Sequence, residues 1–567
     1  MIGDRDAMRP EALLLDHFAA LAAAPGGVAK LRQLILQLAV QGRLVPQDPA
    51  DEPASVLLER IAAEKRRLVR EGVIKKAKPL PAVDEVPFAV PAGWVWTRLE
   101  EIGTINPRNK GIPDDMDTSF VPMTLISEKY GSKICSEPRK WREIKNGGYT
   151  HFANNDVVCA KITPCFQNGK SAVIDDLIGG IGAGTTELHV FRSHCDLLNP
   201  FYVLIYLKSP GFINNGVSKM TGSAGQKRVP REYFSRNPFP LPPLPEQHRI
   251  VAKVDTLMAL CDALEARQAE QRETHTNLGT AALAALSEAE AFEDAWALVA
   301  GNFDLIFDSR ENVAALRQTV FSLAIKGFLT SDWRFTHSDI EQIEVPFHNV
   351  SKQSKKNSNE DARGFFSIPD LWEWLSTHAV GEVKLGRQRS PKNHTGPYMR
   401  PYLRVANVYE DRIDTNDVLE MNFSPKEYEI FRLQFGDILL NEGQSRELVG
   451  RPAIYRNEVP GACFQNTLVR FRPFKIVIPE YALIVFRCYL HAGKFLKIAK
   501  QTTNIAHLGA NRFSKMPFPL PPLPEQHRIV AKVDALMALC DALDARIAER
   551  EETGTRLIEA VVGSCAS

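Results

Sequence analysis

Two stretches of this chain are nearly identical, and that repeat constrains the fold more than any other feature. Residues 238–270 read PFPLPPLPEQHRIVAKVDTLMALCDALEARQAE, and residues 517–549 read PFPLPPLPEQHRIVAKVDALMALCDALDARIAE. Only three of these 33 positions differ: Thr256/Ala535, Glu265/Asp544 and Gln268/Ile547. A weaker pair lies upstream, VAKLRQLILQLAVQGRL (28–44) against VAALRQTVFSLAIKGFL (313–329). It shares Leu31/Leu316, Arg32/Arg317, Gln33/Gln318, Leu38/Leu323 and Gly42/Gly327. A third pair, VPAGWVW (90–96) and IPDLWEW (368–374), aligns Pro91/Pro369, Trp94/Trp372 and Trp96/Trp374. The offsets are 279, 285 and 278, so the chain is two consecutive units, each a leading helix, a domain and a trailing helix.

The expected division is an N-terminal extension (1–25), a leading helical region (26–85), a first domain (86–237) and a central helix (238–300). A second leading region (301–363), a second domain (364–516) and a C-terminal helix (517–567) follow. Inside the domains the similarity nearly vanishes. FANNDVVCAKITP and FGDILLNEGQS keep only a related strand-like outline around Asp156 and Asp437. A scaffold retained while the interiors diverge is the pattern of a recognition protein that reads two different targets.

A chain of 567 residues exceeds one ordinary hydrophobic core, in agreement with several domains. The formal net charge is +1, so a nucleic-acid partner has to be met by local patches. The start, MIGDRDAMRP, lacks a basic-then-apolar signal, and the apolar run after it is broken by Asp16 and His17. No stretch of 18 or more apolar residues offers a membrane span. Nine scattered cysteines without a CxxC pair suggest reduced thiols, hence a cytoplasmic setting with neither disulfides nor a zinc site.

In the first trailing segment Pro245 suits a first helical turn and Glu246 places negative charge near the positive end of the helix dipole. Ile250, Val254, Leu257, Cys261 and Leu264 then recur at alternating steps of four and three. Ile529, Val533, Leu536, Cys540, Leu543 and Ile547 repeat the pattern in the second copy. This a/d seam predicts helix-on-helix packing over about 30 residues, roughly 45 Å. The alternative is an amphipathic helix lying against its own domain. Two such helices packed antiparallel would form a rod comparable in length with one turn of duplex DNA. The leading helices are apolar around much of their circumference, which suits either packing within the chain or docking of a partner subunit.

Charge is informative only locally. Between Lys208 and Arg236 six basic residues (Lys208, Lys219, Lys227, Arg228, Arg231, Arg236) face a single acid, Glu232. The matching window 487–515 holds Arg487, Lys494, Lys497, Lys500, Arg512 and Lys515 with no acid. Residues 383–404 add six more cations, among them Arg387, Arg389, Lys392 and Arg400. Gln226, and Gln501 with Thr502, Thr503 and Asn504, are interleaved. Lysine and arginine neutralise phosphates, while arginine, glutamine and asparagine reach guanine or adenine edges. Two basic windows at equivalent places in diverged domains point to DNA contact at Lys219, Gln226, Lys227, Arg228, Arg231, Arg387, Arg389, Lys392, Arg400, Lys500, Gln501, Asn504 and Arg512.

Catalytic motifs fail one after another. PCFQNGKS (164–171) has proline where a phosphate-binding loop needs glycine. Asp114 with Glu143 and Lys145 imitates the acidic trio of a metal-dependent nuclease, but WREIKNG does not read as the buried strand that would hold the last two. GGIGAGT (179–185) does not open a strand–loop–helix cofactor site. Asn237-Pro238-Phe239 lacks the second proline of an adenine methyltransferase motif, and thirteen histidines form no HExxH. No catalytic residue and no metal site is expected.

The repeated PLPPLPEQHRIVAKVDxLMALCDAL resembles the conserved regions of specificity subunits of Type I restriction–modification enzymes. So do KLRQLILQLAVQGRLVPQD near the start, GQKRVPREYF before the first trailing helix and TTNIAHLGANRF before the second. The resemblance covers the chain after about residue 25. It implies an α+β fold: two mixed α/β target recognition domains joined by long conserved helices, packed as an antiparallel coiled-coil pair in a pseudo-twofold tandem duplication. It also implies that each domain reads one half of an asymmetric, bipartite sequence in double-stranded DNA. The expected partners are two methyltransferase subunits, which use S-adenosylmethionine, and two motor-endonuclease subunits dependent on ATP and magnesium. No cofactor is expected in this chain, no membrane partner, and no catalysis of its own.

Overall fold

The computed structural model describes residues 18–76, 80–81, 83, 85–223, 225–288, 292–337, 365–501 and 505–566. It divides into two compact units. The first holds the residues up to 271 together with those from 550 onward, and the second holds 272–549. Most of the N-terminal extension and residues 338–363 of the second leading region lie outside the described residues, as do 77–79, 82 and 84 of the first.

In the first unit the leading helix Gly27–Val40 buries Leu31, Leu34, Ile35 and Leu38. An unbroken run without internal proline or glycine favours this helix, and Gly42 ends it in the left-handed region at φ 70°. Glycine is needed there twice over, because a Cβ would lie 2.6 Å from the Pro91 ring and 3.0 Å from Trp94. The second unit repeats the device. Arg310–Ile325 ends at Gly327, φ 80°, whose Cβ would lie 2.5 Å from Pro369. The matched glycine and proline therefore meet at the same kind of packing joint within each unit. A helix over Phe18–Ala23, in a stretch with no sequence assignment, buries Phe18, Leu21 and Ala22 in the first core.

The same tryptophans lock the trailing helices. Trp94 Nε1 donates to Glu246 Oε2 at 2.9 Å, and Gln47 Nε2 donates to Glu246 Oε1 at 2.8 Å. In the second unit Trp372 Nε1 donates to Glu525 Oε2 at 2.8 Å and Thr330 Oγ1 to Oε1 at 2.6 Å, with Arg334 also on Oε1. The adjoining glutamines tie helix to domain. Gln247 Oε1 accepts from the Asn199 amide at 2.9 Å, and Gln526 Oε1 from the Ile478 amide at 3.0 Å. Buried polar groups are expensive unless paired, so the twin Glu-Gln steps mark positions that two domains and two helices share.

Two larger sheets recur in each domain. In the first, strands Gly103–Ile105, Leu188–Ser193, Val157–Ala160 and Ser171–Val173 lie antiparallel in that order. In the second domain Gly381–Leu385, Leu468–Pro473, Ile438–Asn441 and Pro452–Ile454 repeat the order. The other sheets also correspond, each with one parallel pair: Asp117–Val121 beside Ile181–Gly184, and Met399–Leu403 beside Cys463–Phe464. Each domain opens and closes on one two-stranded ribbon, Val95–Thr97 with Phe239–Leu241 and Glu373–Ser376 with Pro517–Leu520. Its two ends thus meet at the start of its trailing helix.

The trailing helices span Leu244–Glu288, 45 residues, and Leu523–Ala566, 44 residues, longer than the seam alone predicted. Ile250, Val254, Leu257 and Cys261 are buried, and Leu264 packs against the same core as the leading helix. Ile529, Val533, Cys540 and Leu543 are buried in the second unit, and Leu536 packs beside them with Leu316 and Val320. Within each unit the seam therefore reports packing of a trailing helix on its own leading helix. Arg32 to Asp262 (2.6 Å) and Glu265 (3.0 Å), and Arg317 to Asp541 (2.6 Å) and Asp544 (2.9 Å), flank that contact identically.

Candidate nucleic-acid interface

Three cations of the basic windows, and Arg387 among the expected contact residues, are held by groups of the protein itself. Lys208 is buried, and its Nζ donates to the carbonyls of Gly169 (2.8 Å), Glu128 (2.9 Å) and Ser127 (3.3 Å). Burial lowers its pKa to about 8. Arg387 is likewise engaged within its domain: it pairs with Glu427 at 2.8 Å, donates to the Asn422 carbonyl and stacks 4.9 Å over Phe423. Arg487 is held by Glu410 at 2.8 Å, and Arg236 by Glu100 at 2.8 Å. A window without acids in sequence acquires them in space. Asn504, with Thr502 and Thr503, lies outside the described residues.

Lys219, Gln226, Lys227, Arg231, Lys500, Gln501 and Arg512 are exposed. Arg389, Lys392 and Arg400 are exposed too, Arg389 with Nε 3.1 Å from His394 and Arg400 stacked 4.7 Å over Tyr428. Arg400 sits on the strand Met399–Leu403 of the other sheet, and no backbone pairing among the described residues joins it to the 500–512 segment.

What the fold does assemble is a three-segment ribbon, built twice. Past the strand Val157–Ala160 the chain continues into Ile162, which bridges Arg228, which in turn bridges Thr221. Past Ile438–Asn441 it continues into Gly443, which pairs with His507, which pairs with Lys500. The hydrogen bonds coincide. The Val229 amide donates to the Lys161 carbonyl at 2.8 Å, and the Leu508 amide to the Glu442 carbonyl at 2.7 Å. The Lys161 amide donates to Glu187 at 3.0 Å, and the Glu442 amide to Thr467 at 2.9 Å. Arg228 and His507 are therefore equivalent positions, as are Thr221 and Lys500, and Thr163 and Gln444.

The strand that leads into each ribbon starts at a carboxylate that the sequence outline had in common. Asp156 grips Arg192 at 2.7 Å, and Asp437 grips Arg472 at 2.6 Å. Each also accepts the amide three residues back, Ala153 at 2.7 Å and Gln434 at 2.8 Å. Beside the first ribbon His189 Nε2 donates to the Val229 carbonyl at 3.1 Å, and its ring stacks on Phe234. Burial pushes this imidazole down to about 4. Glu187 receives Arg228 through Nη2 at 2.8 Å and Nε at 2.9 Å, which holds its carboxyl below the usual range. In the other ribbon His507 Nδ1 lies 3.1 Å from Glu442 Oε2.

Sequence reasoning therefore found the hairpin that contains Gln226, Lys227 and Arg228 but missed its neighbours Thr163, Glu187, Glu442, Gln444 and His507. The signal was available in ITP and GQS, which follow Asp156 and Asp437 at matching distances. The motifs that fall short of catalysis have local structural roles. Lys145 pairs with Asp114 at 2.7 Å, and residues 164–171 lead into the strand Ser171–Val173 rather than a helix. A Cβ on Gly182 or Gly184 would meet the carbonyls of Ser119 (2.4 Å) or Val121 (2.6 Å), so those glycines serve close strand approach. Among the described residues no group of three or more His, Cys, Asp or Glu side chains is placed to hold a metal ion, and no helix is long and apolar enough to cross a membrane.

The Type I restriction modification DNA specificity domain matches twice, over residues 91–273 and 369–550, so each copy runs from the opening ribbon into the trailing helix. The chain is 37% identical over 556 residues to the specificity subunit of the Type I restriction enzyme EcoAI of Escherichia coli, covering 94% of this chain and 93% of that one. It is 37% identical over 564 residues to the EcoEI specificity subunit of Escherichia coli, with the same coverage of 94% and 93%. Among solved structures, the HsdS subunit from Thermoanaerobacter tengcongensis aligns at a TM-score of 0.46 and 20% identity, covering 85% of this chain and 98% of that one.

Proposed function

This chain belongs to the family of Type I restriction–modification specificity subunits, and we propose that it reads a bipartite, asymmetric DNA site, one half with each domain, without performing catalysis. The observation that carries this reading is the twice-built ribbon: one backbone framework, with Arg228 in one copy and His507 in the other. Two readers of the same shape with different side chains suit two different half-sites. The long helices set the spacing between those half-sites as an antiparallel pair. They also present two similar surfaces to two methyltransferase subunits, with two motor-endonuclease subunits completing the complex. S-adenosylmethionine, ATP and magnesium act on those partners.

Reconstitution tests the reading. The purified chain, incubated with DNA, magnesium, ATP and S-adenosylmethionine, is expected to neither cleave nor methylate. Adding its cognate methyltransferase subunit is expected to yield adenine methylation confined to one bipartite sequence. Methyl transfer or cleavage by the chain alone would contradict the proposal, as would methylation without sequence preference in the complex.

A further inference from the structure

Arg228 and His507 share more than their place in the ribbon. Each lies on the middle segment, each has a side chain 43% exposed, and each is held by a carboxylate. The carboxylates come from different segments. Glu187 holds Arg228 and occupies the position of Thr467, whereas Glu442 holds His507 and occupies the position of Lys161. The two donor segments are hydrogen-bonded neighbours in both domains. After the domains diverged, the buttress comes from the adjacent segment in one copy and from the segment beyond it in the other, yet it meets the same side-chain position.

The chemistry left over is that of base recognition. Arginine has five N–H donors in a planar fork. Arg228 spends Nε and one Nη2 proton on Glu187, and one Nη1 proton on the Gln226 carbonyl at 3.2 Å. One N–H remains on each terminal nitrogen, the edge that donates in a bidentate pair to guanine O6 and N7. For His507, Nδ1 faces the Glu442 carboxylate, which accepts from the Nδ1–H tautomer, and Nε2 of that tautomer is left as an acceptor. That suits an exocyclic amine of adenine or cytosine. Fixing either side chain before contact reduces the ordering entropy of binding. A two-stranded ribbon also fits the major groove.

Resting on the proposed reading of half-sites, we propose that Arg228 and His507 are the matched base-reading side chains of the two domains, positioned by Glu187 and Glu442. Arg228 reads guanine in the half-site of the first domain, and His507 reads an amine-bearing base in the half-site of the second.

The test uses the full chain assembled with its methyltransferase subunit. Binding and methylation are measured across libraries varied in each half-site, for the wild type and for R228A, R228K, E187Q, H507A and K227A. R228A is expected to lose roughly ten- to hundredfold discrimination at one guanine of one half-site and to leave the other half unchanged. R228K loses the same discrimination, because a lysine is not a planar fork. H507A relaxes one position of the other half-site only. E187Q keeps the guanine preference but weakens it, as expected for a positioning residue. K227A, the comparison, weakens all sequences alike and lowers the salt slope by about one. The inference is overturned if R228A and H507A leave base preferences intact, or if R228A behaves as K227A does. Thermal unfolding of each variant separates these results from misfolding, and R228K, which keeps the charge, guards against a collapsed alanine variant. If the wild-type complex itself shows no bipartite preference, the underlying reading fails rather than this assignment.

Discussion

At neutral pH the imidazole of His189 is uncharged, because burial beside Phe234 pushes its pKa from 6.5 to about 4 against the opposing pull of its hydrogen bond to the Val229 carbonyl. His194 is pushed down to about 4 as well, by burial first and then by the charge of Lys65. The unfolded chain takes up these protons first as pH falls. Stability is therefore intact above about pH 6.5 and is lost between there and about pH 4, by as much as about 3 kcal/mol for His189. Urea titrations of the full chain at pH 7 and pH 4.5 check this: H189N should reduce the acid loss, and an unchanged loss would contradict it. Residue-scale detail was the least legible part of the sequence. Lys208, Arg387 and Lys227 look alike in a charge count, yet one caps three carbonyls, one is sandwiched between Glu427 and Phe423, and one is exposed. The acids that neutralise Arg228 and Arg487 lie 41 and 77 residues away, beyond any local window.

At the scale of elements, the joint of leading helix, opening ribbon and trailing helix was largely written in the repeats. Gly42/Gly327, Pro91/Pro369, Trp94/Trp372 and the Pro-Glu-Gln steps were all visible as matched pairs, and the structure brings each set together. What the pairs could not say was which element the seam faces, since a/d periodicity is the same whether the partner is a leading or a trailing helix. The ribbon was hidden for a different reason: its segments are far apart in the chain, and its side chains differ between copies. The joint makes a prediction. Glu246→Ala leaves the buried indole N–H of Trp94 without its acceptor, and Glu525→Ala does the same to Trp372. Each is expected to cost about 2–3 kcal/mol, with Glu246→Gln milder because its carbonyl oxygen still accepts. Chemical denaturation reads the difference. Alanine variants within about 0.5 kcal/mol of wild type, as for an ordinary surface change, would refute the role of this joint.

For the whole molecule, the central claim is modular. Each domain begins and ends on a single ribbon beside its trailing helix, and under the proposed function its interior is an exchangeable reader on that mount. The tandem architecture was legible from the first repeat, because near-identical helices stand beside diverged interiors in both copies. The measurement that bears on this most directly is a domain exchange. Residues 86–237 are replaced by the corresponding domain of another family member, and methylated adenines are mapped with the chimaera in its methyltransferase complex. The account predicts that one half of the methylated sequence changes to that of the donor, while the other half and the spacing between them stay as they were. A change in both halves, or in neither, would contradict it.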